Sequence, residues 1–292
     1  MQIITFDIEE WYTRRERYSS DMEKYALLDR YLNNILDKLD ERGFKGTFFC
    51  LGALATEFPD VIKKIDSRGH EVGCHSHRHQ WLTKIGLEEI REDTRTAVDT
   101  LEQCIGKKVK SYRAPAFSIC DKNKQVFEIL AECGIERDAS VFPAVRDVGG
   151  FSTFGYKTPV VIEYQGIRIK EFPICTTKIL GKEIAYSGGG YFRFFPLWFV
   201  ENEMKKSEYA MTYFHIGDLM PESSKILSRE EYEAYFKEPG TFVNRNLRYF
   251  KSSVGKKQAF EKLMKLIGHR DFINIDLADR LIDWNERATV IL

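Results

Sequence analysis

Four of the chain's six histidines, His70, His75, His77 and His79, fall between Gly69 and His79. Glu71 to Cys74 reads as a short buried strand, so His75 stands where that strand ends and His79 follows four residues later. On a turn of helix, positions four apart share a face, which would let both imidazoles converge on one cation. Histidine is a common metal ligand, and such a pair leaves room for a carboxylate and a water. The N-terminal run Thr5-Phe6-Asp7-Ile8-Glu9-Glu10 offers the carboxylates. Strand side chains alternate, so Asp7 and Glu9 share one face. Glu9 is the expected third ligand, with Glu10 the alternative. Two histidines and one carboxylate suit catalytic Zn2+, or another divalent ion such as Co2+, Ni2+, Mn2+ or Fe2+.

Asp7 is then free to act as a general base on a water whose pKa a metal can lower from about 15.7 to about 7. Arg113, at another expected strand end, could pair with Asp7 and hold its carboxylate. An amide nitrogen leaves only when protonated, and His215 is the expected general acid. Asp138 is expected to hold the protonated imidazole. Among the aromatics, Trp11 and Tyr191 look exposed and are the expected ring platforms for a substrate.

The elements that must position these groups follow from periodicity. Apolar strand-like runs cover residues 2–7, 46–51, 71–74, 108–112, 135–138, 210–214 and 271–275. Helical stripes cover 25–42, 59–68, 87–104, 124–133, 196–206 and 256–267, with a short helix near 229–236. Gly43, Gly69 and Gly134 stand as C-terminal stops. Residues 159–173 read as a hairpin turning at Gln165-Gly166, 187–192 as a loop, and most of 216–255 as irregular. Strand-helix alternation over the chain argues a parallel α/β sheet or barrel. Asp7, His75, Arg113, Asp138 and His215 all fall at strand ends, where such barrels keep their active sites. The expected organisation is a single catalytic domain over 1–292, with 141–193 as an insertion and 276–292 as a C-terminal tail.

Lysine plus arginine equals aspartate plus glutamate, 44 each, so the formal net charge is zero. That removes any global electrostatic argument for nucleic acid or an anionic membrane. The Arg14-Arg15-Glu16-Arg17 run reads as a local polar loop. The N-terminus lacks the features of a signal peptide, and no window approaches the apolar length of a membrane span. Six cysteines without a CxxC or regular framework read as free thiols of a reducing compartment. The expectation is a cytoplasmic protein.

Taken together, these residues resemble the polysaccharide deacetylases of carbohydrate esterase family 4, the NodB-homology domains. Thr5-Phe6-Asp7 looks like the first motif, His75-Ser76-His77-Arg78-His79 like the metal motif, and Arg113-Ala114-Pro115-Ala116-Phe117 like the arginine-proline motif. Asp138 looks like the aspartate that tunes the acid, and Tyr213-Phe214-His215 like the last motif. The resemblance implies an irregular (β/α)7 barrel, here with an inserted β-hairpin. It also implies that Arg113 tethers the base and that the Phe117 N–H contributes to the oxyanion hole. Most relatives carry a metal-binding aspartate where Ile8 stands, and Glu9 inherits that role. Phe142 stands in for the aromatic after the fourth-motif aspartate. The stretches 138–143 and 188–192 look like the subset encoded with bacterial exopolysaccharide or O-antigen genes, although Ile216-Gly217-Asp218 replaces its usual Pro-Trp-Glu. The implied reaction is metal-dependent removal of N-acetyl groups from an N-acetylated poly- or oligosaccharide. The rival readings are an inactive glycan-binding homologue, favoured by Ile8, and hydrolysis of another amide or ester.

Overall fold

The computed structural model describes residues 1–13, 21–146, 149–221, 226–236 and 238–292. The Arg14–Arg17 run lies outside them. Among the described residues the strands are β1 (Gln2–Ile3), β2 (Thr5–Ile8), β3 (Thr47–Cys50), β4 (Glu71–Cys74), β5 (Ser111–Tyr112) and β6 (Arg137–Asp138). They continue with β7 (Val160–Tyr164), β8 (Ile167–Glu171), β9 (Thr176–Ile179), β10 (Lys182–Ala185), β11 (Ala210–Met211), β12 (Phe214–His215) and β13 (Thr289–Ile291). The main sheet runs β12-β2-β3-β4-β5-β6-β8-β7-β13. Its neighbours are parallel except for the β7–β8 hairpin.

The strand sequences explain the architecture. Every residue of β2 (TFDI) and β3 (TFFC) is buried, as a parallel strand covered on both faces requires. Helices Pro59–Ser67 and Leu87–Ile105 pack against β4, and Val126–Glu132 against β8. In helix Asp21–Glu41 the stripe Leu28, Leu32, Ile35, Leu36 and Leu39 is wholly buried. The chain leaves that helix through Gly43 at φ +68, with the Phe44 N–H donating to Leu39 O. A Cβ at this left-handed position would carry a penalty, which is why glycine ends so many helices.

Several expectations need revision. The barrel order is present, but no backbone ladder among the described residues seals β12 to the β8 side. Beyond Glu171 the chain departs into the β9–β10 hairpin, which pairs with itself, so the seam is stitched by other groups. The Met211 N–H meets Cys175 Sγ at 2.9 Å, the Tyr209 hydroxyl donates to Pro173 O at 2.9 Å, and the Ser187 hydroxyl donates to Met211 O at 2.7 Å. The hairpin expected as an insertion is part of the sheet, with β8 lying between β6 and β7. Its turn is where it was expected. Gln165 and Gly166 both have positive φ, the conformation whose twist suits a two-residue hairpin. Residues 271–275 supply only an isolated bridge, Ile273 to Ile3, before helix Ile275–Leu281. Residues 189–194 are a short helix, and helices Ile216–Leu219 and Phe242–Ser253 occupy stretches expected to be irregular. Strand β13, from the expected tail, completes the far edge of the sheet.

Candidate active site

Parallel register lines up the chemistry at one edge. His215 is the direct partner of Asp7 across β12–β2, and Asp138 is the direct partner of Glu171 across β6–β8. His75 and Arg113 each sit one residue past a strand end. Both still extend the ladder, His75 N–H to Cys50 O and Arg113 N–H to Cys74 O at 2.9 Å each. The C-terminal ends of β2, β4, β5 and β12 therefore meet at the mouth of the sheet.

Glu9, His75 and His79 offer three ligand atoms that all lie within 4.8 Å of one another. Glu9 Oε2 is 2.5 Å from His79 Nε2 and 3.6 Å from His75 Nε2. The His75 Nδ1–H donates to the carbonyl of Arg113 at 2.8 Å, which fixes the tautomer that leaves Nε2 as a lone pair. That Nε2 is buried and makes no hydrogen bond. A buried nitrogen lone pair facing a carboxylate and a second imidazole fits a divalent cation in both donor type and number. Burial would raise the Glu9 carboxyl. The charges of His79 and His215, with the hydrogen bond to His79, outweigh burial and hold it well below the usual range.

The two imidazoles do not converge through a helical turn. Residues 75–80 are irregular, with left-handed kinks at Ser76 (φ 68) and His79 (φ 60). The Ser76 hydroxyl accepts the His79 N–H at 3.0 Å, and Asp93 accepts the N–H groups of His77 at 2.7 Å and Arg78 at 3.2 Å. Positive φ at non-glycine residues is strain that surrounding structure has to hold, and these hydrogen bonds hold it. His70 and His77 take no part in the cluster. His70 is a core histidine whose Nδ1 accepts the Gly46 N–H at 3.2 Å, and burial lowers its pKa to about 4. Glu10 is fully buried, and its carboxylate accepts the Gly217 N–H at 2.5 Å.

Asp7 is 1 % exposed and Arg113 fully buried, paired at 2.8 Å. Arg113 also donates to Thr5 Oγ1 at 2.7 Å and Ala139 O at 3.2 Å, and its cation lies 4.2 Å from the Phe49 ring centre. Burial pushes the Asp7 carboxyl up, but Arg113, His75 and His215 together bring it below its ordinary value. Asp7 is therefore ionised. Its second oxygen is 3.5 Å from His215 Nε2.

His215 is held by Asp218, not by Asp138. Its Nδ1 lies 3.2 Å from Asp218 Oδ2. Burial would lower the imidazole's pKa, yet Asp218, Glu9 and Asp7 raise it to about 10. Asp138 instead faces Glu171 and accepts the Ser140 hydroxyl at 2.5 Å. As two carboxylates, Asp138 Oδ2 and Glu171 Oε2 would both lack a donor. One shared proton satisfies both. Burial and the Asp138 charge drive Glu171 well above the usual range, so the proton rests there.

Two further expectations, for Phe117 and Trp11, meet the structure differently, and Tyr191 stays available. The Phe117 N–H already donates to Ala114 O at 3.0 Å, so it is spent on its own turn. Ala116 and Phe117 both have φ 54, and among the described residues the Ala116 N–H has no hydrogen-bond partner. Trp11 is 1 % exposed and packs in the core, which leaves its ring no open face for a sugar. Tyr191 is 41 % exposed on helix Gly189–Phe194. Sequence reasoning missed Asp218 and Asp93. An acid at 93, three residues after Ile90 and four before Ala97 on the buried face of its helix, was the available signal for the latter.

Comparison with known proteins places this geometry. The polysaccharide deacetylase profile matches residues 3–137, and a domain of unknown function (DUF3473) matches residues 139–279. The sheet crosses that boundary, since β6 bonds directly to β8. A peptidoglycan-N-acetylglucosamine deacetylase of Bacillus cereus is 37 % identical over 81 residues, covering 28 % of this chain and 30 % of that protein. The peptidoglycan-N-acetylmuramic acid deacetylase PdaC of Bacillus subtilis is 31 % identical over 90 residues, covering 31 % of this chain and 19 % of that protein. The matched region is thus a third or less of either relative's length. A solved Mycobacterium smegmatis structure assigned to the polysaccharide deacetylases has a TM-score of 0.65 at 16 % identity, covering 100 % of this chain and 92 % of that one.

Proposed function

We propose that this chain, whose residues 3–137 match the polysaccharide deacetylase family model, hydrolyses the N-acetyl group of an N-acetylated sugar in a poly- or oligosaccharide. The observation that carries the reading is one juxtaposition. The Glu9–His75–His79 cluster lies beside an ionised Asp7 clamped by Arg113, with His215 3.5 Å from the same Asp7. We treat 1–292 as one catalytic unit, because the sheet runs unbroken across both matched segments.

Glu9, His75 and His79 would hold a divalent cation, most simply Zn2+, which when bound supplies Lewis-acid polarisation of the acetyl carbonyl and a more acidic water. Asp7 accepts the proton of the attacking water, and Arg113 keeps its carboxylate ionised and oriented. The protonated His215, held by Asp218, donates to the amide nitrogen as the carbon–nitrogen bond breaks. Water and the amide thereby become acetate and a free amine. The Ala116 N–H replaces that of Phe117 as the candidate backbone donor to the developing oxyanion. Tyr191 remains the candidate sugar platform. Six free cysteines fit the proposed reducing, cytoplasmic setting, and no helix among the described residues is long and apolar enough to cross a membrane.

The test is paired. Elemental analysis should find about one divalent metal per chain, lost in His75→Ala, and acetate release from N-acetylated oligosaccharides should vanish with it. Saccharide binding without turnover in the metal-loaded wild type would instead support the inactive homologue. A panel including O-acetyl esters and capsule-type and peptidoglycan-type glycans assigns the bond and tests the exopolysaccharide subset.

A further inference from the structure

Helix Phe242–Ser253 wears its amphipathicity inside out. Phe242, Val243, Asn246, Leu247 and Phe250, spaced i, i+1, i+4, i+5 and i+8, form one face. The apolar members of that face are 74, 69, 50 and 64 % exposed in chain order, and no residue of the helix is buried. The polar face is the one turned to the protein. Arg245 donates to Leu227 O at 2.9 Å, and Arg248 lies 3.6 Å from Glu238 and 4.2 Å from the Phe236 ring centre. A helix whose apolar face meets water while its arginines anchor it has its counterpart elsewhere.

The surface extends past this helix. Arg193 donates to Lys251 O at 3.2 Å and to Ser252 O, tying the last turn to helix Gly189–Phe194. The next residue, Phe194, is 69 % exposed, and Trp198 is 67 % exposed. Phe194 borders an open cleft of about 600 Å³ that Lys262 and Lys265 also line. Charge is concentrated here too. Residues 242–270 hold eight lysines and arginines and one acid, Glu261, although Lys256 is buried and Arg248 and Lys265 are paired with Glu238 and Glu261. Lys251 and Lys257 are exposed.

We propose that this face docks the protein onto the surface of an anionic phospholipid bilayer. Phe242, Val243, Leu247 and Phe250 would enter the headgroup–acyl boundary, with the surrounding lysines on lipid phosphates. Charge complementarity selects this occupant. A second copy meeting the face across a two-fold axis would set like charge against like charge. The proposal does not rest on the hydrolytic reading, because attachment is read without turnover.

The test is co-sedimentation of the full chain with phosphatidylcholine vesicles, alone and mixed with phosphatidylglycerol. The wild type should pellet with the mixed vesicles at low salt and release as salt rises. The triple variant Phe242→Ser, Leu247→Ser, Phe250→Ser should bind at least roughly tenfold more weakly, with its melting temperature and its hydrolysis of a soluble substrate unchanged. Lys251→Gln should weaken binding about fivefold. Failure of the wild type to pellet with mixed vesicles would overturn the proposal, as would equal binding by the triple variant. Sedimentation velocity showing a dimer that the triple variant dissolves, or a raised KM for soluble oligosaccharide, each without vesicle binding, would assign the face to another occupant.

Discussion

Two buried arginines stand one strand apart at opposite ends of the sheet. Arg137, opening β6, donates to Ser111 Oγ at 2.9 Å, Asp276 at 2.9 Å, and Asp279 and Glu71 at 3.3 Å each. Glu71 in turn accepts the hydroxyls of Thr47 and Ser111 at 2.6 Å each and the Asp276 N–H at 3.0 Å. None of the buried side-chain atoms of Arg137, Glu71, Asp276 or Asp279 lacks a partner. Arg113, just past β5, is equally well bonded, yet the group its carbonyl holds, His75, leaves Nε2 without a hydrogen bond. Buried polar groups are normally satisfied, and an exception calls for an explanation. The saturated end is a clasp that joins the last helix to the sheet. The unsaturated end keeps a buried lone pair free, as the proposed cation site requires.

That contrast predicts which property each substitution moves. The largest effect belongs to Asp7→Asn, which removes the base while leaving the ligand atoms in place. Its kcat for acetate release should fall by about 10²–10⁴ with metal content retained, and an unchanged kcat would erase the distinction between the two ends. Arg137→Met strands buried carboxylates and should cost about 3–5 kcal/mol in urea denaturation, with kcat per folded molecule unaltered.

Asp218→Asn sharpens the comparison through pH. The His215 imidazole is raised to about 10 in the fold, above its unfolded value of about 6.5. The stability it contributes is therefore complete below the unfolded value and lost as pH rises through about 10. General-acid activity declines over the same alkaline limb, and a cation beside Glu9 opposes the shift. With Asp218 neutralised, the alkaline limb of kcat/KM should move to lower pH than in the wild type, and an unmoved limb would remove Asp218 from the proposed role. The smallest effect is expected from Glu171→Gln. The protonated Glu171 already acts as a donor to Asp138, so an amide should change stability by less than about 1 kcal/mol. A larger loss would mean that Glu171 is ionised.

Much of this arrangement was legible in the chain. Strand and helix placement up to residue 138 followed from periodicity, because fully buried parallel strands and amphipathic helices write themselves into apolar spacing. Asp7, His75, Arg113 and His215 stood out because strand ends are where ionisable residues interrupt such runs, while Glu9 followed from strand alternation and His79 from its spacing after His75. What escaped depends on contacts that spacing does not encode. The turn that brings His79 to Glu9 needs left-handed Ser76 and His79, and nothing in their residue types announces it. Asp138 was expected beside His215, but register sets it opposite Glu171, and the neighbouring Asp218 takes the imidazole. Trp11 looked exposed because it follows a polar pair, whereas Glu10 is itself buried. Helix Phe242–Ser253 was overlooked because its apolar stripe lies outside the single core that periodicity arguments assume.

The doubly employed Arg113 has one last consequence. Its guanidinium grips Asp7 while its carbonyl fixes the His75 ring, so the proposed base and the proposed ligand hang from a common mount. Displacement of that strand tip carries both the same way and preserves the gap between them, where water must be deprotonated. The two ties are nonetheless chemically separable. Arg113→Met would cut the side-chain tie and leave the carbonyl, giving a protein that still takes up metal in elemental analysis but turns over slowly.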